Sequence, residues 1–205
     1  MPRTESVNRQ IRDERRKQIL AAAAKVFAHN GYVGTRIDDI AVAATISKGL
    51  IYHYFGGKET IFNTLVEGAS RGTIHLYRQA FDQPGSAAGR LRWLIERVVD
   101  GLAEQPDLFM VVMQASVSDA VPREARDQVS ALVLKTNDIM TQFIIAGQKD
   151  REIVQGDPEH LAFLLGACME GLAASQAMSA SAPSSSIADS LIRLLTPAGS
   201  PGVSQ

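Results

Sequence analysis

The stretch from Thr35 to Phe55 constrains the fold of this chain most, because it has the pattern of two short helices joined by a tight turn. In its first half, apolar residues recur with the i, i+3, i+4, i+7 spacing of one helical face. They are Ile37, Ile40, Ala41 and Ala44. Thr35 precedes that face and Asp38 follows three residues later, so the spacing predicts that Thr35 caps the helix in a weak capping box. After Thr45, Ser47 is predicted to cap a second helix that ends at about Phe55.

The second predicted helix carries an unusual polar face. If Ile51 and Phe55 are buried, the other side of the helix presents Lys48, Gly49, Tyr52 and His53. Small, basic and aromatic-polar side chains at the start of a helix suit insertion into the major groove of DNA, where the base edges carry a readable pattern of donors and acceptors. The stretch therefore predicts a helix-turn-helix.

Charge is distributed unevenly along the chain, although its 205 residues carry a net charge of only −1. Residues 1–60 contain 10 Lys and Arg against 6 Asp and Glu, whereas residues 61–205 contain 11 against 16. A basic N-terminal part on an acidic remainder favours a polyanion as the partner of the N-terminal part alone. A chance fluctuation of a few charges is the alternative.

The first residues lack apolar periodicity, so residues 1–11 are predicted to form a flexible basic arm. Basic residues cluster in this arm and at the start of the helix that follows it: Arg3, Arg9, Arg12, Arg15, Arg16 and Lys17. Such an arm can reach phosphates or the minor groove. For Arg3 and Arg9, a solvated run of charges is an equally good interpretation.

Cysteine usage and hydropathy exclude several classes of protein. The single cysteine, Cys168, excludes an internal disulfide and a cysteine-cluster metal site. Its apolar neighbours predict a buried thiol rather than a redox sensor. The N-terminus has no apolar signal core, and no apolar stretch reaches the roughly 18 residues of a membrane span. We therefore expect a cytoplasmic protein without a metal, a cofactor or a membrane partner.

The rest of the chain shows helical periodicity throughout. Helices are predicted at about 11–29, 58–80, 87–104, 106–118, 122–149, 157–178 and 187–195, with a small-residue loop at 179–186. The predicted fold is all-α, with an N-terminal three-helix helix-turn-helix head joined by a long fourth helix to a helical body. The predicted domains are the arm 1–11, a DNA-binding domain 12–58, a ligand-binding and dimerisation domain 59–196, and a disordered tail 197–205.

Five motifs resemble the DNA-binding head of the TetR family of bacterial transcription regulators. They are R-x-x-I-L-A-A-A at 16–23, F-A-H-N-G-Y at 27–32, T-R-I-D-D-I-A at 35–41, I-S-K-G-L-I-Y-H-Y-F at 46–55 and K-E at 58–59. The resemblance covers residues 12–66. It implies DNA contacts from Thr35, Arg36, Ser47, Lys48, Gly49, Tyr52, His53, Tyr54 and Lys58. For Tyr54, packing in the head core is an equally good interpretation.

Two positions depart from the family pattern. Thr45 stands where the family often has glycine in the turn. A left-handed conformation there would strain a β-branched residue by about 1–3 kcal/mol, so we expect a slightly different turn. Leu50 replaces a hydroxyl residue, which removes one candidate phosphate contact and offers an apolar contact to a thymine methyl group.

The body carries a candidate dimer surface and a candidate pocket. Small residues among leucines predict close packing of two copies through Leu164, Ala167, Cys168, Gly171, Leu172, Leu191 and Leu195, with packing inside one chain as the alternative. Soft and aromatic side chains with a few polar groups predict a small-molecule pocket lined by His75, Trp93, Phe109, Met110, Met113, Gln114, Asn137, Met140 and Phe143. Each of these could instead fill a solid core.

The resemblance implies a dimeric repressor that binds a palindromic double-stranded operator and leaves it when a small, mostly apolar effector binds the body. An enzyme is the first alternative, but the chain has no G-x-S-x-G, P-loop, G-x-G-x-x-G or H-E-x-x-H motif. A helical adaptor whose basic head binds protein is the second alternative. Salt-dependent affinity for DNA distinguishes the adaptor from the regulator.

Overall fold

The computed structural model describes residues 5–178 and 186–197, and within those ranges the chain is all-α with no strand. The predicted fold class is therefore confirmed. The helices are α1 (Glu5–Gly34), α2 (Ile37–Ala44), α3 (Lys48–Phe55), α4 (Lys58–Phe81), α5 (Ala87–Glu104), α6 (Pro106–Val117), α7 (Arg123–Lys149), α8 (Pro158–Met178) and α9 (Ser186–Leu195). No helix in the described ranges is long and apolar enough to cross a bilayer.

The N-terminal end of α1 differs from the sequence prediction. Residues 5–11 were expected in the flexible arm, but they are helical in the structure. The Gln10 amide donates to the carboxylate of Glu14 one turn later (3.1 Å), a side-chain pair of the kind that supports isolated helix. Most of the predicted loop 179–186 and most of the predicted tail 197–205 lie outside the described residues.

Gly31 interrupts α1 near its C-terminal end. Its backbone has φ 69° and ψ 168°, outside the helical region and at a positive φ that glycine adopts without a Cβ clash. The regular part of the first helix therefore ends close to the predicted bound at about residue 29.

The described residues form two compact units. The head unit contains 5–70 and Asp107–Ser130, and the body unit contains Arg71–Pro106, 131–178 and 186–197. The head unit thus adds α6 and the first part of α7 to the helix-turn-helix region. Its core includes Val111, Ala115, Val121, Ala125 and Val129 together with Ile19, Phe27, Ile51, Phe55 and Phe62.

Polar contacts join these helices inside the head unit. The side-chain amide of Gln114 in α6 donates to the carbonyl of Phe27 in α1 (2.8 Å). The amide of Asn63 in α4 donates to the carboxylate of Glu124 in α7 (2.6 Å). The head unit is therefore held by hydrogen bonds as well as by its apolar core.

The body unit has its own core, formed by α5, α8, α9 and the body parts of α4 and α7. Phe81 stacks on Phe143 with ring centroids 4.1 Å apart. Arg92 of α5 pairs with Asp189 of α9. The carboxylate of Glu152 accepts a hydrogen bond from the backbone N–H of Ala88 (3.0 Å), which places a negative charge at the start of α5.

The turn between α2 and α3 overturns our expectation for Thr45. Thr45 adopts the left-handed conformation, with φ 55° and ψ 46°. Ile46 N–H donates to the carbonyl of Ala41 (3.0 Å) and Thr45 N–H donates to that of Val42 (3.1 Å), the two bonds of a Schellman motif. This hydrogen bonding requires the positive φ, so the turn keeps its geometry and the threonine bears the strain.

We predict that Thr45→Gly stabilises the protein by about 1 kcal/mol, the middle of the range that the following two terms allow. Glycine removes a strain of about 1–3 kcal/mol but loses more chain entropy on folding, at a cost of about 0.5–1 kcal/mol. Urea unfolding followed by circular dichroism measures the difference. Thr45→Ala is the matched control, because alanine keeps the Cβ and should give no comparable gain. A gain with alanine equal to that with glycine would contradict the strain explanation.

Candidate nucleic-acid interface

Helix α3, which the sequence predicts to be the DNA-recognition helix, is delimited at both ends by local hydrogen bonds. Ser47 precedes it in an extended conformation, and the Ser47 hydroxyl accepts a hydrogen bond from the N–H of Leu50 (3.3 Å). Gly56 ends it at φ 75°, donating its N–H to the carbonyl of Tyr52 (3.0 Å). The predicted serine cap is therefore confirmed.

Burial sets the rotation of α3. Ile51 and Phe55 are 0% and 5% exposed in the head core. Lys48, Gly49, Tyr52 and His53 are all exposed on the remaining surface. The predicted polar face therefore exists as a surface, with a cation at its N-terminal end and two aromatic-polar side chains one turn later.

The capping of α2 differs from the prediction. Arg36, not Thr35, is the N-cap residue, and its N–H donates to the carboxylate of Asp39 (2.9 Å). Thr35 is 1% exposed, and its hydroxyl donates to the carbonyl of Gly31 (2.7 Å). The Thr35 side chain therefore holds the turn after α1 instead of facing the surface, whereas Arg36 is exposed.

Lys48 is paired with an acidic residue that the sequence analysis had assigned to a cap. The Lys48 ammonium lies 2.8 Å from the carboxylate of Asp38, and both side chains are at least half exposed. The hydrogen bond that Lys48 donates to Asp38 is the main cause that raises the pKa of Lys48. The pair links α2 to α3 at the start of the recognition helix. A phosphate bound by Lys48 would have to compete with the Asp38 carboxylate.

Lys58 lies at the start of α4, but its ammonium is directed into the head. It donates to the carbonyls of Tyr32 (3.0 Å), Val33 (3.4 Å) and Thr35 (3.0 Å). The ammonium also lies 4.6 Å from the centroid of the Tyr32 ring. Lys58 therefore satisfies carbonyls that follow the break in α1. To make its predicted contact with phosphate, the Lys58 ammonium would have to give up these hydrogen bonds to backbone carbonyls.

Arg16 supports the C-terminal end of α3. Its guanidinium donates to the carbonyl of Tyr54 (2.8 Å) and lies 4.3 Å from the centroid of the Phe55 ring. Tyr54 is half-buried against the head core. Its ring contacts that of His53 edge-on at 5.3 Å. These contacts support the core interpretation of the Tyr54 ring.

The predicted pocket residues fall in both units. Phe109, Met110, Met113 and Gln114 belong to the head unit, whereas His75, Trp93, Asn137, Met140 and Phe143 belong to the body unit. Met140 and Phe143 are only 2% and 1% exposed within the body core. His75 is exposed and Trp93 is half-buried. The pocket remains a prediction.

The predicted dimer residues divide into a surface group and a core group. Leu164, Ala167, Cys168 and Gly171 are exposed and Leu172 is half-buried. The expectation of a buried Cys168 was therefore wrong. Leu191 and Leu195 are each 8% exposed and pack in the body core of their own chain. Phe163 of α8, which is 68% exposed, was missed by the sequence analysis.

Comparison with known proteins bears on both the head and the whole chain. The family "Bacterial regulatory proteins, tetR family" matches residues 19–65. The transcriptional repressor NicS of Pseudomonas putida is 27% identical over 154 residues, which are 71% of this chain and 69% of NicS. The transcriptional activator FasR of Mycolicibacterium smegmatis is 30% identical over 107 residues. That match covers 52% of this chain and 49% of FasR, so this chain spans about half the length of FasR.

Solved structures extend the similarity of fold beyond the head. The crystal structure of the regulator FadR from Bacillus subtilis in complex with stearoyl-CoA has a TM-score of 0.71 at 23% identity, covering 88% of this chain and 97% of FadR. A family-matched head with an exposed recognition helix defines a DNA-binding transcriptional regulator. The part of the chain that matches the TetR family is its head, over residues 19–65.

We predict opposite effects for the two partners of the surface ion pair. Lys48→Ala should abolish specific binding to a duplex recovered by selection from random-sequence DNA. Asp38→Asn should strengthen that binding about three- to tenfold, because it removes the carboxylate that competes with phosphate. Fluorescence anisotropy measures both affinities, with circular dichroism as the check on folding.

Asp138→Asn is the matched control for Asp38→Asn. It removes the same charge from an exposed position of the body part of α7 and should leave the DNA affinity unchanged. Weaker binding by Asp38→Asn would contradict competition and would mean that Asp38 orients Lys48 for DNA.

Proposed function

We propose that this protein is a ligand-responsive repressor that binds a palindromic operator as a homodimer. A small, mostly apolar molecule bound by the body releases it from DNA. The observation that carries the proposal is the exposed polar face of α3 on a head that matches the TetR family. The similarity to the repressor NicS supports repression. The similar protein FasR is an activator, so heads of this kind occur both in repressors and in activators.

Dimerisation follows from the limited size of one recognition helix. A single helix-turn-helix contacts few base pairs, so specific binding uses two half-sites about 34 Å apart along the duplex. The exposed apolar side chains of α8 offer a surface for a second copy. Phe163, Leu164, Ala167, Cys168 and Gly171 follow one another at helical spacing on that surface. Small residues among them allow two helices to approach closely.

The proposed effector binds among the body helices. Apolar side chains that are only half-buried beside the body core, including Leu76, Trp93 and Ile139, support an apolar ligand. FadR of Bacillus subtilis, which has a similar fold, was crystallised with stearoyl-CoA. We therefore favour an aromatic or acyl compound, with Asn137 as a polar group that orients it.

The proposed release requires the effector to prefer one spacing of the two heads. Helix α4 is continuous from Lys58 in the head unit to Phe81 in the body unit. A ligand that binds more tightly to a body with α4 displaced would favour the spacing that does not fit the operator. Only this difference in affinity, and not the ligand's affinity as such, determines the extent of release.

A thermal-shift screen of the full chain with acyl-CoA thioesters and aromatic acids tests the proposal. An effector at about 100 times its Kd should stabilise the protein by about 2.7 kcal/mol and should weaken binding to the selected duplex. Free coenzyme A is the matched control for an acyl-CoA. Stabilisation without any loss of DNA affinity would contradict release, and stronger DNA binding would show that the compound is a corepressor.

A further inference from the structure

One face of α1 changes from apolar residues to arginines along its length. In the head core this face is formed by Ile19, Ala23 and Phe27, each 0% exposed. Continued towards the N-terminus with the same three- and four-residue steps, it carries Arg16, Arg12 and Arg9. Residues three and four apart share a side of a helix, so the arginines extend the side of α1 that faces the head core.

Arg16 fixes the position of this arginine stripe, defined as Arg9, Arg12 and Arg16. Its guanidinium bonds to the carbonyl of Tyr54 and lies over the Phe55 ring, at the C-terminal end of the recognition helix. Next to it, the amide of Gln18 donates to the carbonyl of Ala44 at the end of α2 (2.7 Å). The stripe therefore leaves the head beside both helices of the helix-turn-helix.

On the N-terminal side of Arg16, most described residues of the helix are exposed. Arg9 and Arg12 are exposed, as are most residues between 6 and 14, and only Ile11 among them is half-buried. A helical segment without tertiary packing is marginal in water. A ligand that binds the stripe would therefore order a segment that the core of the head does not hold.

The acidic residues of this segment do not interrupt the stripe. Glu14 accepts a hydrogen bond from Gln10 on the other side of α1, and Asp13 lies at the edge of the stripe by its position in the helical repeat. The guanidiniums of Arg9 and Arg12 are exposed, and a guanidinium can bind phosphate oxygens with two parallel hydrogen bonds.

We propose that Arg9 and Arg12 bind DNA phosphates next to the groove that α3 reads. This inference rests on the proposed DNA-binding function and adds a second, sequence-independent contact to it. The recognition helix supplies sequence selectivity, and the stripe supplies affinity that depends on salt and not on sequence. It also extends the bound segment of duplex at each half-site.

The test is the salt dependence of binding by the full-length chain. The probe is a duplex recovered by selection from random-sequence DNA, and the variants are Arg9→Ala and Arg12→Ala. Each variant removes one phosphate contact from each protomer of the dimer, so it should lower the slope of log affinity against log salt by about 1.8 and weaken binding about 25- to 100-fold at 0.1 M salt. Hydroxyl-radical footprints should lose protection at the outer edges of the site, and Arg9→Lys should restore most of the slope.

Lys25→Ala is the matched control, because Lys25 is exposed on the opposite side of α1. It removes one charge and should leave both slope and footprint unchanged. Unchanged slopes for Arg9→Ala and Arg12→Ala would overturn the inference. A slope that falls equally in these two variants and in Lys25→Ala would also overturn it, because such a fall would reflect net charge alone. If the unaltered protein binds no duplex in a salt-dependent way, the proposed function fails as well, so the two failures are distinguishable.

Discussion

Burial of Ile51 and Phe55 in the head core is the constraint on which the rest of the structure depends. These two side chains fix the rotation of α3, and the rotation decides that Lys48, Tyr52 and His53 lie on the surface. Full burial of a large apolar side chain is worth roughly 1.5–3 kcal/mol, more than an exposed ion pair contributes. The surface chemistry of the recognition helix can therefore vary between proteins while its orientation is kept.

Hydrogen bonds at the helix ends convert this core into a rigid head. Lys58 donates hydrogen bonds to the carbonyls after the break in α1, and Arg16 donates one to the carbonyl of Tyr54 at the end of α3. Both are cations that would be assigned to DNA on residue type alone. Their partners lie 23 to 38 residues away in the sequence. A basic residue in a DNA-binding head can thus have a structural role, whereas the exposed Arg9 and Arg12 are the ones that we propose for phosphate.

Local patterns made most of the fold predictable, because helix bounds depend on apolar periodicity, caps and glycine. The end of regular helix at Gly31, the Ser47 cap and the polar face of α3 followed from residues within one turn of each other. Long-range partners did not follow from the sequence, because neither the Lys58 contacts nor the inclusion of α6 in the head unit has a local signal.

The strain at Thr45 was misjudged, because the hydrogen bonds of the turn outweigh the conformational preference of one residue. On α8, apolar residues surround the helix, so periodicity could not tell the exposed Leu164 from the buried Leu165.

In the proposed regulator two heads are paired, α3 selects the DNA sequence, and the body sets the distance between the heads. Light scattering coupled to size exclusion, on the protein alone and with the selected duplex, tests this claim most directly. The expected result is a dimer that takes up one duplex, with a preference for palindromic over half-site DNA of equal length. A stable monomer that binds both duplexes equally well would contradict it.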